Sequence, residues 1–417
     1  MDPRLRRLFN AGWSERLHAA VEREMEARLD TPHFGFRLAE TPVFLAPELV
    51  ARCERAAREI LARMQEPAVV ERCAARIPEP FRVPGTDALP HMLAIDFALV
   101  EEADGTLGPR LIECQGFPSL YGMEVVQSDI WIEIVGRIAG LERERGGWSS
   151  FWGGLDRAAF VELFRRTVVG DADPEEVVLL DLEPETQKTR PDFVATEKLL
   201  GVRPVCVTAL VRDGRRLLAP RGRGRPGLAP VRRIYNRVVF DELIASGVTP
   251  PFSYREALDV TWVPHPNWYW IWSKATIPHL DHPAVPRAHL VSDLHAWPDD
   301  LSRFVLKPLF SFAGRGVVVD VERAALDSIP EEARRDWLLM EKVEYAPALV
   351  TPDGHGVKVE LRVLFLRPDG ERDLVPATNL CRLSRGKMHG VDHNKDFGWV
   401  GSSVAVWEAG GTPAAGA

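Results

Sequence analysis

Two short runs decide the fold: His91-Met-Leu-Ala-Ile-Asp-Phe-Ala-Leu-Val100 and Arg110-Leu-Ile-Glu-Cys-Gln115, separated by Asp104-Gly105. The first is almost wholly apolar and bounded by turn residues, which reads as a buried strand. Asp-Gly between apolar runs is a strong hairpin signal, so the second run is predicted to return beside the first. The period of two places Glu113 and Gln115 on one face. Pairing of the strands lets Asp96 reach the same face. Two carboxylates and an amide oxygen form an all-oxygen set suited to Mg²⁺, which keeps waters and bridges phosphates. The alternative is a solvated hairpin, against which stand the apolar flanks Leu93, Ile95, Phe97, Leu111 and Ile112. Cys114 alternates to the opposite face and reads as core.

Outward from this hairpin the texture is mixed. Residues 13–30 and 45–75 read as amphipathic helices. In the first, Ser14 is the N-cap of a stripe of Leu17, Ala20, Val21, Met25 and Leu29; the second stripe is Leu49, Cys53, Ala56, Ile60 and Met64. A helix is predicted over 124–138. Beyond the Gly- and Trp-rich break at 147–154 come a helix at 157–168, a strand at 177–181, a helix at 191–200 and a strand at 205–211. Strand, helix, strand at this spacing is the signature of a parallel sheet, and 233–239 adds a further strand. A helix is predicted from Ser273. Strands are predicted at 304–307, 317–321, 337–343, 358–366 and 374–380. The tail 409–417 is small and Gly-rich and reads as disordered. The fold class is therefore α+β or α/β.

Three further segments bear chemistry. Lys307 ends a strand and is followed by Ser311-Phe-Ala-Gly-Arg-Gly316. Glycines let backbone N–H groups approach a polyphosphate, and the lysine adds a point charge. The plain alternative is a tight hairpin with an exposed lysine. Trp337-Leu-Leu-Met-Glu341-Lys-Val343 is an apolar strand ending in an acid, and such an end can pair with adenine; taken alone it is a buried strand with an exposed end. Lys358-Val-Glu360-Leu-Arg362, with Asn379, Arg382 and Arg385 after it, offers an electropositive wall for a transferred phosphoryl group. Its alternative is a half-exposed strand.

Composition excludes other classes. The chain has 417 residues, enough for two to three domains. Its 46% hydrophobic and 27% charged residues exclude a largely disordered chain. Lysine and arginine total 52 against 60 acids, a net −8, so a nonspecific nucleic-acid binder is not expected. The Arg221–Arg233 stretch is a solvated loop or a contact for an anionic substrate. Five scattered cysteines without a CxxC pair fit reduced thiols in the cytoplasm. No apolar run is long enough to span a membrane, and no apolar segment follows the basic start Met1–Arg7 as a signal peptide would require. No Ser/His/Asp or Cys/His signature of a protein nucleophile stands out.

In this order the parts resemble the ATP-grasp family, and specifically its circularly permuted group of glutathionylspermidine-synthetase-like proteins. The metal hairpin normally follows the nucleotide lobe; here it precedes it by about 200 residues. Asp181–Thr196 with Leu199-Leu-Gly-Val resembles the Rossmann-like preATP-grasp segment, and Ile234-Tyr-Asn-Arg-Val238 the strand that closes it. Ser273-Lys274-Ala resembles the first ATP lysine, and Leu374–Arg382 the late Arg-bearing strand. The resemblance implies a helical N-terminal region at 1–85, part of the metal-binding lobe at 86–145, a preATP-grasp domain at 155–245 and the nucleotide lobe with the rest of the metal-binding lobe at 246–408. It implies an ATP-dependent carboxylate–amine or carboxylate–thiol ligase using ATP and Mg²⁺ on small-molecule substrates. Lys274 and Lys307 would then contact phosphates; Ser311, Gly314, Arg315 and Gly316 would lie in the phosphate loop; Glu341 and Val343 would meet adenine. Asp96, Glu113 and Gln115 would bind metal, and Arg362, Lys307 and Arg382 would carry the chemistry. Gln115 stands where asparagine is usual, and Glu344 is the candidate for the ribose. A phosphotransferase on the same fold, or a non-catalytic nucleotide-binding module, is the competing reading.

Overall fold

The computed structural model describes residues 1–31, 34–143, 147–222, 225–310, 316–386, 394 and 396–410. At its centre, strands Met92–Glu101 and Leu107–Gln115 pair antiparallel about the Asp104-Gly105 turn. The hairpin does not stay alone. Met92–Glu101 pairs antiparallel with Gly356–Leu366, which pairs with Val375–Ser384, which pairs with Gly401–Ser403. Segments more than 250 residues apart in sequence thus share one sheet.

The two faces of this sheet differ because the strands alternate. Leu93, Ile95 and Phe97, with Leu361, Val363 and Phe365, point into the main core. The helices Pro3–Gly12, Glu15–Arg28, Pro47–Met64 and Pro67–Ala74 pack into that same core. Ser14 caps the second helix by accepting from the Leu17 amide, as the sequence predicts. The N-terminal region is also stitched in by backbone pairing: Val43–Phe44 runs parallel to Ala405–Val406. The other face is apolar at one end, where Met92, Ala94, Leu364 and Leu366 meet Tyr121 and Val125 of the helix Tyr121–Val135. At the other end it is charged.

Val177–Asp181, Arg203–Cys206, Arg233–Asn236 and Thr261–Val263 form a parallel sheet, with the helix Arg190–Leu200 making the first crossover. A third sheet joins Ala288–Leu290, Trp337–Glu341 and Phe304–Pro308, all antiparallel.

Several sequence expectations are corrected. The strand expected at 205–211 ends at Cys206 in a 3₁₀ turn, and the next segment is a separate meander of Val211–Asp213, Arg216–Pro220 and Leu228–Val231. Its arginines are largely paired: Arg221 and Arg225 with Glu175, Arg232 with Glu176. Ser273 starts only a 3₁₀ turn, Lys274–His279, containing Pro278. Residues 317–321 form no strand beyond a single bridge of Val318 to Leu306. Ala409, placed in the disordered tail, donates to the Gly147 carbonyl at 2.9 Å; residues 411–417 of that tail lie outside the described residues. Among the described residues no helix is long and apolar enough to cross a membrane.

One contact sets where the hairpin leads. The helix Tyr121–Val135 begins after Leu120, whose φ is 78° and which offers no side-chain cap. Asp192, fully buried on the helix Arg190–Leu200, supplies it: its carboxylate accepts from the amides of Leu120, Gly122 and Met123 at 2.9–3.0 Å. Asp192→Ala removes a cap and orphans buried donors, so unfolding free energy should fall by roughly 2–4 kcal/mol. Urea unfolding checks this; a loss below about 0.5 kcal/mol, ordinary for a surface substitution, would refute the capping role.

Candidate functional site

The charged end of the central sheet is assembled from four strands. Asp96 lies opposite Glu113 on one side and opposite Arg362 on the other. Glu360 lies opposite Arg382. The placement of Glu113 depends on an irregularity: Phe97 pairs with Leu111, yet Asp96 pairs with Glu113, so Ile112 is an extra residue. Without it, Glu113 would follow the alternation into the apolar core. The bulge turns Glu113 back to the Asp96 face. It also turns the Ile112 carbonyl toward Lys307, whose Nζ donates to it at 3.3 Å.

Within this face the charges interlock. Arg362 clamps Asp96 with two bonds, Nε to Oδ1 at 2.6 Å and Nη2 to Oδ2 at 2.7 Å. Arg382 reaches both Asp96, at 2.6 Å, and Glu360, at 2.5 Å. Tyr345 donates its hydroxyl to the other oxygen of Glu360 at 2.6 Å. Lys274 Nζ stands 3.2 Å from Glu113 Oε1. Asp96 is fully buried, and Lys274, Lys307, Glu360 and Arg362 nearly so.

Burial and charge pull the acid–base equilibria in opposite directions. Burial pushes the Asp96 carboxyl up, with Arg362 and Arg382 opposing it. Burial acts the same way on Glu113, but Lys274, Arg362, Arg382 and Lys307 outweigh it and hold that carboxyl below its ordinary value. Burial lowers the Lys307 ammonium to about 8, although Glu113 favours its charged form.

A cleft opens beside these groups, lined by Glu113, Gln115, Phe117, Tyr269, Lys274 and Phe310 among others. The Trp268–Trp272 segment forms its floor as core: Trp268, Tyr269, Trp270 and Trp272 are buried. The hairpin exit presses against it so closely that a Cβ on Gly116 would stand 2.6 Å from the Trp268 carbonyl. Glycine is required there for that approach. Cys114 is buried, its thiol 3.3 Å from the Ser273 carbonyl.

The structure thus brings Asp96, Glu113, Lys274, Lys307, Arg362 and Arg382 together, with Gln115 on the cleft wall. Glu341 ends the strand Trp337–Glu341 half-buried, its amide bonded to the Arg287 carbonyl at 2.8 Å. Val343 is half-buried and Glu344 exposed. Gly316 has φ of 76°; Ser311, Gly314 and Arg315 lie outside the described residues. Two participants escaped sequence reading, the Ile112 bulge and Tyr345. Tyr345 sits four residues beyond Glu341 in a segment without regular structure, so no period pointed to it.

Among the described residues no group of three or more His, Cys, Asp and Glu is arranged to hold a metal by itself. Asp96 is engaged by two guanidiniums. Glu113 and Gln115 supply a carboxylate and an amide oxygen on one wall, which matches the one or two protein ligands that Mg²⁺ takes when phosphates complete its shell.

No family model matches the sequence, and no curated protein matches it. In structure the chain is similar to a glutathione synthetase-like effector, GSS30, from Globodera pallida, solved in the apo form. The TM-score is 0.54 at 11% identity, covering 94% of this chain and 97% of that one. The likeness is one of fold: mixed α/β and glutathione synthetase-like.

The buried lysine yields a test independent of any ligand. Its folded pKa of about 8 lies below the ordinary 10.5. Below pH 8 both states carry the proton and the full burial cost applies. Between pH 8 and 10.5 the unfolded chain binds more proton, so stability rises with pH and the cost is relieved. Lys307→Met should therefore stabilise the protein at pH 7 by roughly 1–3 kcal/mol, with the gain shrinking toward pH 10. Urea unfolding at both pH values decides; a gain that grows with pH would contradict the assignment.

Proposed function

We propose that this chain is an ATP-dependent carboxylate–amine (or thiol) ligase, built as a circularly permuted ATP-grasp fold and working through an acyl phosphate. The observation that carries the reading is the cluster of Lys274, Lys307, Arg362 and Arg382 around Asp96 and Glu113, beside a cleft lined by Lys274, Glu113 and Gln115. Four cations beside two oxygen donors suit a polyphosphate better than any neutral ligand. The glutathione synthetase-like fold agrees with this reading.

In this reading the hairpin of 86–145 and the strands within 356–403 form one lobe. Residues 155–245 are the Rossmann-like domain, and the sheet containing Phe304–Pro308 and Trp337–Glu341 is the nucleotide lobe. Lys274 and Lys307 hold the α- and β-phosphates, and the segment ending at Glu341 and Val343 receives adenine. A carboxylate oxygen of the substrate attacks the γ-phosphorus and ADP leaves. The amine or thiol then attacks the acyl carbon, phosphate leaves and a proton is released. Arg362 and Arg382 orient the transferred phosphoryl group and spread its charge. Glu113 and Gln115 would hold Mg²⁺, which supplies charge neutralisation on the phosphates. Arg237 would meet a substrate carboxylate or brace the sheet: it is buried, stacks 5.1 Å over Phe117 of the cleft and donates from Nη1 to the Pro118 carbonyl at 2.7 Å, while its Nε has no partner.

With Mg-ATP and a pool of amino acids, small peptides and polyamines, the protein should release ADP. With hydroxylamine replacing the amine it should form an acyl hydroxamate. Glu113→Ala should abolish both while keeping the circular dichroism of the parent. ADP release without hydroxamate would favour the phosphotransferase reading. Nucleotide binding without ADP release across that pool would favour the non-catalytic module.

A further inference from the structure

Every acid of the charged face is already matched to a cation of the chain itself. Asp96 is held by Arg362 and Arg382, Glu360 by Arg382, and Glu113 by Lys274. Three carboxylates face four cations once Lys307 is counted, an excess of one positive charge with all groups ionised. A free divalent cation approaching this wall meets like charge. To reach Glu113 it must also expel an ammonium 3.2 Å away in a site of low water content.

A polyphosphate reverses both conditions. It brings more negative charge than the face lacks, and it offers Lys274 another anion within the same cleft. Lysine suits such an exchange, because its ammonium is a compact charge on a flexible four-carbon stem. Lys274 stands at the first position of the turn Lys274–His279, where Ser273 fixes the backbone by accepting from the Ala275 amide. The backbone stays while the side chain can turn from Glu113 toward the cleft. The arginine pairs lack that freedom, since Arg362 is clamped to Asp96 by two parallel bonds.

We infer that Lys274 determines which species the site accepts: it occupies Glu113 in the free protein and yields it only when a polyphosphate enters, so the metal binds as its nucleotide complex and not as the free ion. The inference rests on the nucleotide reading above. By linkage the coupling is reciprocal, and metal and nucleotide each raise the affinity of the other.

Mn²⁺ is the probe, and the free ion is followed by electron paramagnetic resonance in the full-length protein. The wild type should leave the Mn²⁺ signal unchanged in the absence of nucleotide and take up the ion when a non-hydrolysable ATP analogue is added. Lys274→Met keeps the packing volume and removes the charge. It should bind Mn²⁺ without nucleotide at least about tenfold more tightly than the wild type, equivalent to ~1.4 kcal/mol, and adding Glu113→Gln should erase the gain. Lys274→Gln serves as a second variant should the methionine disturb folding. Strong Mn²⁺ binding by the nucleotide-free wild type, or no gain in either folded Lys274 variant, would overturn the inference and leave the ligase reading standing. An analogue that binds neither wild type nor variant would overturn the nucleotide reading, whereas the metal titration of the variants still decides the Lys274–Glu113 block.

Discussion

The carboxylate of Asp96, held between Arg362 and Arg382, is the constraint on which the rest of this protein depends. It is fully buried and joins strands 266 residues apart in sequence. Taking the charges of Asp96 and Arg362 out of water is costly, and their attraction compensates only with good geometry and further hydrogen bonds. Here the geometry is a two-bond fork from Arg362, a third bond from Arg382, and a second carboxylate, Glu360, that binds Arg382 in turn. The net stability of such a cluster is small, but its demand on register is large. A one-residue slip of Met92–Glu101 against Gly356–Leu366 would carry Asp96 into the face packed by Ile95 and Phe97, away from Arg362. The cluster therefore specifies how the early hairpin docks on the late strands.

That docking explains the unequal faces. The apolar face needs no help beyond burial, and it receives the N-terminal helices. The polar face concentrates cations in a chain whose sum is −8. Lys307 shows the cost most plainly: a buried ammonium with its pKa driven down to about 8 adds nothing to folding. Such departures from local optimality gather at functional or strained sites.

Much of this arrangement was legible in the sequence. The Asp-Gly turn and the apolar runs on either side gave the hairpin, and the helix at 157–168 and strand at 177–181 stand where their periodicity put them. The site residues were legible as residue types at strand ends. What was not legible is instructive. The Ile112 bulge decides the face of Glu113, yet an extra residue in one strand leaves no mark in a single sequence, because period two reads the same before and after it. The turn after Ser273 stops short of a helix, and Pro278 lies within it. Asp192 carries no cap signature at all: it caps a helix about 70 residues away in sequence, and only the tertiary fold brings it there.

The same bulge ties two parts of the site that come from different sheets. By freeing the Ile112 carbonyl it gives Lys307, at the end of Phe304–Pro308, an acceptor on the central hairpin. By turning Glu113 outward it gives Lys274 its partner. One inserted residue thus positions both lysines against the same strand, from segments outside its sheet.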